Sequence, residues 1–139
     1  MTFVDANVFM YAAGAPHPHK HPSVAFLRRA ATGEVAVCTG TEVLQEILHR
    51  YRAIDRWTDG KRVLGFVRRI VPVIYPVDLS VVDEALRLLD KHPSLMARDG
   101  IHAATCVVHG VSQFCTFDRD FEAVAFLQRV EPGQDAPLA

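Results

Sequence analysis

Apolar positions along this chain change period several times, and each change marks an element. Short β-rich runs alternate with runs of helical period. "TFVD" reads as a first strand, "VAVCT" as a second and "VPVIYPV", bounded by prolines, as a third. "SQFCTF" is a fourth strand, and "LQRVEP" a fifth after a short helix. Between them lie helical patterns. "HPSVAFLRRAATGE" carries Pro22 in its first turn and Gly33 at its end. "TEVLQEILHRYRAI" and "KRVLGFVRRI" follow. Ser80 is expected to cap "SVVDEALRLLDKH", with Asp83 completing a capping box. "RDGIHAATCVVHG" is a last apolar helix ending near Gly110.

Strands separated by helices imply right-handed βαβ units. The expected fold class is α/β, with a mostly parallel sheet flanked by helices on both faces. A length of 139 residues suits one core. A single domain is therefore expected over 1–131, with a frayed tail over 132–139. No apolar run is long enough to span a bilayer. Asp5 interrupts the N-terminal run and no basic segment precedes it, so a cytoplasmic location and no membrane partner are expected.

Asp5 is wedged between two apolar runs, "TFV" and "VFMYAA". An acid there is costly unless something compensates its charge. Ligands of parallel sheets gather at the carboxyl ends of the strands. Asp5 ends the first strand and Asp118 ends the fourth, so the two acids are expected at one sheet edge. Helix geometry separates Glu42 from Glu46. Val43, Leu44, Ile47, Leu48 and Tyr51 form one apolar stripe. Glu42 falls nearly opposite the stripe, while Glu46 lies roughly 130° from its centre and is better placed to border a cleft. Asp99 starts a helix that is apolar or small on nearly every side. It reads either as a cap on free N–H groups or as a site acid. Gly100, Ala103 and Ala104 would let that helix pack closely on the sheet.

Four converging carboxylates repel one another unless cations intervene. Mg²⁺ takes oxygen ligands. Two such ions about 4 Å apart can hold both the attacking water and the leaving oxygen of a phosphodiester. The chemistry expected of this set is metal-assisted hydrolysis of a nucleic-acid backbone.

"FVDANVFMY", "TEVLQEIL", "ARDGIHAAT" and "TFDRDF", in this order and spacing, span residues 3–121. Together they resemble the PIN-domain nucleases, and among these the VapC-type toxins of toxin–antitoxin pairs. The resemblance implies a three-layer α/β/α fold and Mg²⁺- or Mn²⁺-dependent cleavage of RNA. It puts Asp5, Glu46, Asp99 and Asp118 on the acidic active-site positions, with Asn7 and Asp120 as auxiliaries. Asp5, Asp99 and Asp118 would be the metal ligands, and Glu46 would orient the nucleophile. It also implies a cognate antitoxin laid across the cleft and a homodimer. The runner-up reading is a PIN-like RNA-binding or scaffold module without catalysis. The full acidic set argues against it, since a binder has no need of repelling carboxylates.

Net charge is −1, but its distribution is uneven. The stretch 49–69 holds Arg50, Arg52, Arg56, Lys61, Arg62, Arg68 and Arg69 against Asp55 and Asp59, a local +5. It is either a solvated helix surface or a polyanion-binding face. Arg50, Arg52, Arg98 and Arg119 are the candidate RNA contacts. Val63, Leu64, Phe66, Val67 and Ile70 exceed one buried stripe and offer a surface for self-association. "HPHKHPS" reads as a solvated loop despite its three histidines. His102 is given a structural or supporting role, and Tyr51 and Trp57 a packing role. Cys38, Cys106 and Cys115 lack metal-ligand spacing and are expected reduced and buried.

Overall fold

Residues 1–134 are described by the computed structural model. Five strands are present among them: β1 (Thr2–Val4), β2 (Val37–Gly40), β3 (Val73–Tyr75), β4 (Gln113–Cys115) and β5 (Gln128–Val130). They form one parallel sheet in the order β3-β2-β1-β4-β5. The helices are α1 (Ala6–Ala13), α2 (Lys20–Ala31), α3 (Thr41–Ala53), α4 (Trp57–Ile70), α5 (Leu79–Lys91) and α6 (Ala97–His109). A 3₁₀ turn spans Arg119–Ala123.

This strand order fixes where a site can form. From β1 the chain steps outward to β2 and β3, then crosses back to β4 on the other side of β1. Right-handed crossovers put the outward connections, α1–α4, on one face and the return, α5–α6, on the other. The direction reverses between β1 and β4. The carboxyl ends of these neighbours open the crevice where such sheets bind ligands.

The three residues of β1 and the four of β2 are all buried, as suits central strands covered on both faces. Phe3 stacks on Phe114 at 5.0 Å, and Phe114 meets Phe121 at 4.3 Å, so the rings tie β1 and β4 to the 3₁₀ turn. Cys38, Cys106 and Cys115 are free and buried in this core. Burial pushes the Cys38 thiol up to about 11 and raises the other two further, which makes them inert. Gly110, at φ 70°, ends α6 in the left-handed region, where glycine carries no Cβ penalty.

The sheet, its order of elements and the helices on both faces agree with the sequence reading. Local assignments differ in five places. "ANVFMYAA", left unassigned, is α1. Helix α4 begins at Trp57, a turn earlier than the periodic run. Asp78, not Ser80, caps α5: its carboxylate accepts from Val81 N at 3.1 Å, and Ser80 Oγ donates to it at 2.7 Å. Asp99 lies inside the first turn of α6, whose N-cap is Met96, and its carboxylate caps no N–H group among the described residues. Gly100 packs against α5 rather than the sheet: a Cβ there would sit 2.7 Å from Leu89 Cγ. Ala104 joins Val81 and Ala85 on that same side, while Ala103 and Cys106 face the main core. Of the expected tail, Pro132 is buried, Gly133 and Gln134 are exposed, and 135–139 lie outside the described residues.

Candidate active site

Asp5 leaves β1 in extended conformation and starts α1. Its backbone N–H donates to Cys115 O at 3.0 Å, continuing the β1–β4 ladder by one residue. Its Oδ1 accepts from Ala6 N at 2.7 Å. Its Oδ2 accepts from Thr116 Oγ1 at 2.8 Å and from Asn7 Nδ2 at 3.3 Å. The buried carboxyl is thus held at both oxygens, with the N-cap bond as one of its restraints.

Thr116 is the hub of this corner. Its single proton goes to Asp5, and its oxygen accepts from Asn7 Nδ2 and from Asp118 N, both at 3.0 Å. A hydroxyl has one donor and two acceptor positions, and all three are used. Asp118 in turn caps the 3₁₀ turn, its Oδ1 accepting from Asp120 N at 2.9 Å. Arg129 from β5 donates to Thr116 O at 3.1 Å and also binds Glu122 and Glu131, so it braces the segment from behind.

On the other side, Glu46 projects from the second turn of α3 toward His102 of α6. Their Oε1 and Nε2 are 2.6 Å apart, and the same Nε2 lies 3.8 Å from Asp5 Oδ1. His102 is 1% exposed, and its Nδ1 has no partner among the described residues. Burial disfavours its charged form. The hydrogen bond to Glu46 and the charges of Asp5, Glu46 and Asp99 outweigh that and raise its pKa above the ordinary imidazole value. In its protonated form the ring is a counter-charge and not a ligand.

Asp99 is half-buried, one turn before His102. Desolvation first, and the charges of Asp5 and Asp118 next, push its pKa up to about 6. Asp5 is raised as well, chiefly by burial, with His102 and Thr116 opposing. Burial is the larger cause of both shifts, and neighbouring carboxylates add to it.

The structure therefore gathers the predicted acids in two abutting groups. Asp5, Glu46 and His102 can place one ligand atom each within 4.8 Å of one another, and so can Asp99, Asp118 and Asp120. Among the described residues no lysine or arginine pairs with any of these carboxylates. Hard oxygen donors without a lysine or arginine partner fit a divalent cation of the Mg²⁺ type. Asn7 stands between Asp5 and Thr116 as an orienting amide.

The arginines divide. Arg98 leans on Glu42 at 3.5 Å, away from the acids. Arg52 covers the Trp57 ring at 4.6 Å. Arg50 and Arg119 are exposed and make no ion pair among the described residues. Thr116, within "TFDRDF", is a functional residue that the acidic pattern does not point to. The available signal was a hydroxyl residue between a buried strand and an acid. "HPHKHPS" is no plain solvated loop: His17 and His19 pack with Tyr11 and Phe117.

A carboxylate-lined crevice at the switch point of a five-stranded parallel sheet defines a class, and comparison with known proteins agrees. The PIN domain family matches residues 2–127, and the chain belongs to that family. Ribonuclease VapC23 of Mycobacterium tuberculosis is 39% identical over 118 residues, covering 85% of this chain and 93% of the relative. Among solved structures, the Mycobacterium tuberculosis sarcin–ricin-loop-cleaving toxin VapC20 matches with a TM-score of 0.74 at 19% identity, covering 91% of this chain and 97% of that one. A toxin–antitoxin complex from Klebsiella pneumoniae matches with a TM-score of 0.67 at 13% identity, over 95% of this chain and 98% of that one. These two likenesses are of fold.

Proposed function

We propose that this chain is a divalent-metal-dependent endoribonuclease, the toxin of a toxin–antitoxin pair, formed by one domain over 1–131. The observation that carries the reading is the gathering of Asp5, Glu46, Asp99 and Asp118 at the crevice between β1 and β4, where among the described residues no lysine or arginine pairs with them and His102 alone stands against Asp5 and Glu46. Kinship with VapC ribonucleases supports it.

Asp5, Asp99 and Asp118 would hold Mg²⁺ or Mn²⁺, with Asp120 at the margin. When bound, such an ion supplies Lewis-acid activation of water and neutralises charge on the phosphodiester. The chain does the positioning. Thr116 and Asn7 fix Oδ2 of Asp5, and Ala6 N fixes Oδ1. His102 holds Glu46 at the inner wall and offsets part of the negative charge, so that Glu46 is set to orient the attacking water. The aliphatic and aromatic floor below, Phe3 among it, keeps bulk solvent from the buried side of Asp5.

The antitoxin reading is supported by the toxin–antitoxin complex among structures of this fold. A dimer is proposed on different grounds from those in the sequence. In α4, Val63 and Val67 are buried, and Leu64, Phe66 and Ile70 are half-buried. The bare apolar face belongs to α5, where Leu79 is 75% exposed and Leu86 63%, with Val82 between them.

The test is cleavage of a single-stranded RNA by the purified protein with Mg²⁺, Mn²⁺ or a chelator, beside Asp5→Asn. Metal-dependent cutting is expected. Asp5→Asn should lose orders of magnitude of it, with metal-free melting level or higher and a smaller rise on adding metal. Cutting that survives chelation, or a poorly folded Asp5→Asn that still cuts, would overturn the assignment.

A further inference from the structure

Four rings meet at the surface beside the acidic crevice. His19 stacks on Phe117 at 3.9 Å and 15°. Tyr11 meets His17 at 4.6 Å, His19 at 5.0 Å and Phe117 at 5.4 Å. His17 and His19 are 4.9 Å apart. Aromatic clusters of this size ordinarily fill cores, yet none of these rings is buried. The loop that carries the two histidines runs through Pro16 and Pro18, which limits its freedom before anything binds.

The cluster is joined to the acids by short covalent steps. Phe117 lies between Thr116 and Asp118, and its N–H points at Asn7 Oδ1 at 3.5 Å. Tyr11 is one turn beyond Asn7 on α1, on the same side of the helix. The rings therefore border the crevice on the α1 side. From His17 a groove of about 350 Å³ continues along α2, lined by Pro16, His17, Lys20, His21, Val24 and Arg28. Its cations face no acid of their own segment: residues 6–33 contain Lys20, Arg28 and Arg29 and not one aspartate or glutamate. Lys20 leans on the Gly14 carbonyl, and Arg28, two turns on, is exposed and makes no ion pair among the described residues.

We infer that Tyr11, His17, His19 and Phe117 form a stacking platform for an unpaired nucleobase next to the scissile phosphate, and that the α2 groove takes the adjoining phosphates on Lys20 and Arg28. Every base offers a π-face, and stacking on aromatic side chains is how unpaired RNA is held. The acidic crevice by itself repels phosphate, and the neighbouring Lys20 and Arg28 supply the attraction. The platform selects single-stranded RNA, because a base stacked inside a duplex has no free face to give it. This subsite rests on the ribonuclease reading for its substrate, but its rings and cations are separate from the proposed metal ligands.

The experiment uses a fluorescently labelled single-stranded oligoribonucleotide in chelator, read by anisotropy, with cleavage in Mg²⁺ or Mn²⁺ measured separately. Proteins compared are the wild type, Phe117→Leu, which keeps apolar bulk, His17→Ala on the exposed loop, and Arg28→Glu. Each ring variant should bind about tenfold more weakly. Replacing bases by abasic sugars should weaken binding to the wild type and have little further effect on the ring variants. Arg28→Glu should weaken binding and reduce its salt dependence. Equal affinities for wild type and ring variants, abasic losses identical in all proteins, or no RNA binding by the wild type would overturn the platform. Ring variants that keep RNA affinity but lose a cognate antitoxin would overturn it in favour of a protein contact. A wild type that cuts RNA while the ring variants bind normally removes the platform alone. A wild type that binds through the rings but never cuts supports the platform and removes the nuclease.

Discussion

Glu46 Oε1 and His102 Nε2 meet at 2.6 Å, joining α3 to α6 beneath the acidic crevice. This contact gives the site its one internal counter-charge among the described residues. His102→Ala would leave Glu46 and Asp5 facing each other and open a cavity beside Phe3. The expected cost is about 2–4 kcal/mol in metal-free protein, measured by urea denaturation. His102→Gln retains a donor and should cost less. Equal losses for the two variants would show that packing, not the charge contact, governs the pair.

The crowded carboxyls set the pH dependence of the metal-free fold. The Asp99 pKa is raised from 3.8 to about 6, so between these values the folded state binds more protons than the unfolded state. Stability must then fall as pH rises through that window. Asp5 and His102 are raised too and act in the same direction. Melting temperature should be higher near pH 4.5 than near pH 7 in chelator, as far as this cluster is concerned. Asp99→Asn should flatten the slope, and Mg²⁺ or Mn²⁺ should offset the loss at neutral pH. A slope unaltered in Asp99→Asn would count against the cluster.

Thr116→Val keeps shape and removes the hub. Asp5 loses a donor, and Asn7 and Asp118 N lose an acceptor. A loss of about 1–3 kcal/mol is expected, with cleavage falling further than melting alone accounts for. Thr116→Ser restores the hydroxyl and should recover most of the activity. Failure of serine to do better than valine would mean that the hydroxyl is not what aligns Asp5.

Two glycines of α4 give opposite outcomes. A Cβ on Gly60 would sit 2.6 Å from Tyr51 Cβ, where neither atom can swing away. A Cβ on Gly65 meets nothing within 4 Å. Gly60→Ala should destabilise by about 1–3 kcal/mol as α3 and α4 are forced apart. Gly65→Ala should stabilise by up to about 1 kcal/mol through helix propensity. Thermal melts of the two variants decide the point.

The basic side chains of the stretch 49–69 are exposed, with Arg50 one turn beyond Glu46 on α3. Reversing Arg50 and Arg52 to glutamate should weaken RNA binding and flatten its salt dependence. An unchanged salt slope would assign the phosphate contacts to α2 alone.

Much of this architecture was legible because strands and helices carry different periods, and because acids at strand ends are conspicuous. The misses have particular causes. Helix α1 was hidden because its N-cap is Asp5, a residue already spent on the site, and because "VFMYAA" has no polar face to betray a period. At α5, Asp78 and Ser80 are both good caps, and only the backbone decides which one turns inward. His102 was legible as a structural or supporting residue, but its pairing with Glu46 spans 56 positions, and no local pattern encodes that. The histidines of "HPHKHPS" looked idle because their partners, Tyr11 and Phe117, come from elsewhere in the chain.

Asp5 does two jobs with one carboxylate, and this has a practical corollary for handling the protein. Its Oδ1 starts α1, while its Oδ2 faces Thr116 and the crevice. Asparagine caps a helix as well as aspartate does, whereas alanine does not. Asp5→Asn is therefore the form that removes the carboxylate charge with the architecture intact. Asp5→Ala would confuse poisoning of the chemistry with a frayed helix. The asparagine form is also the one to crystallise with an RNA strand, since it keeps the shape of the crevice and takes one negative charge out of it.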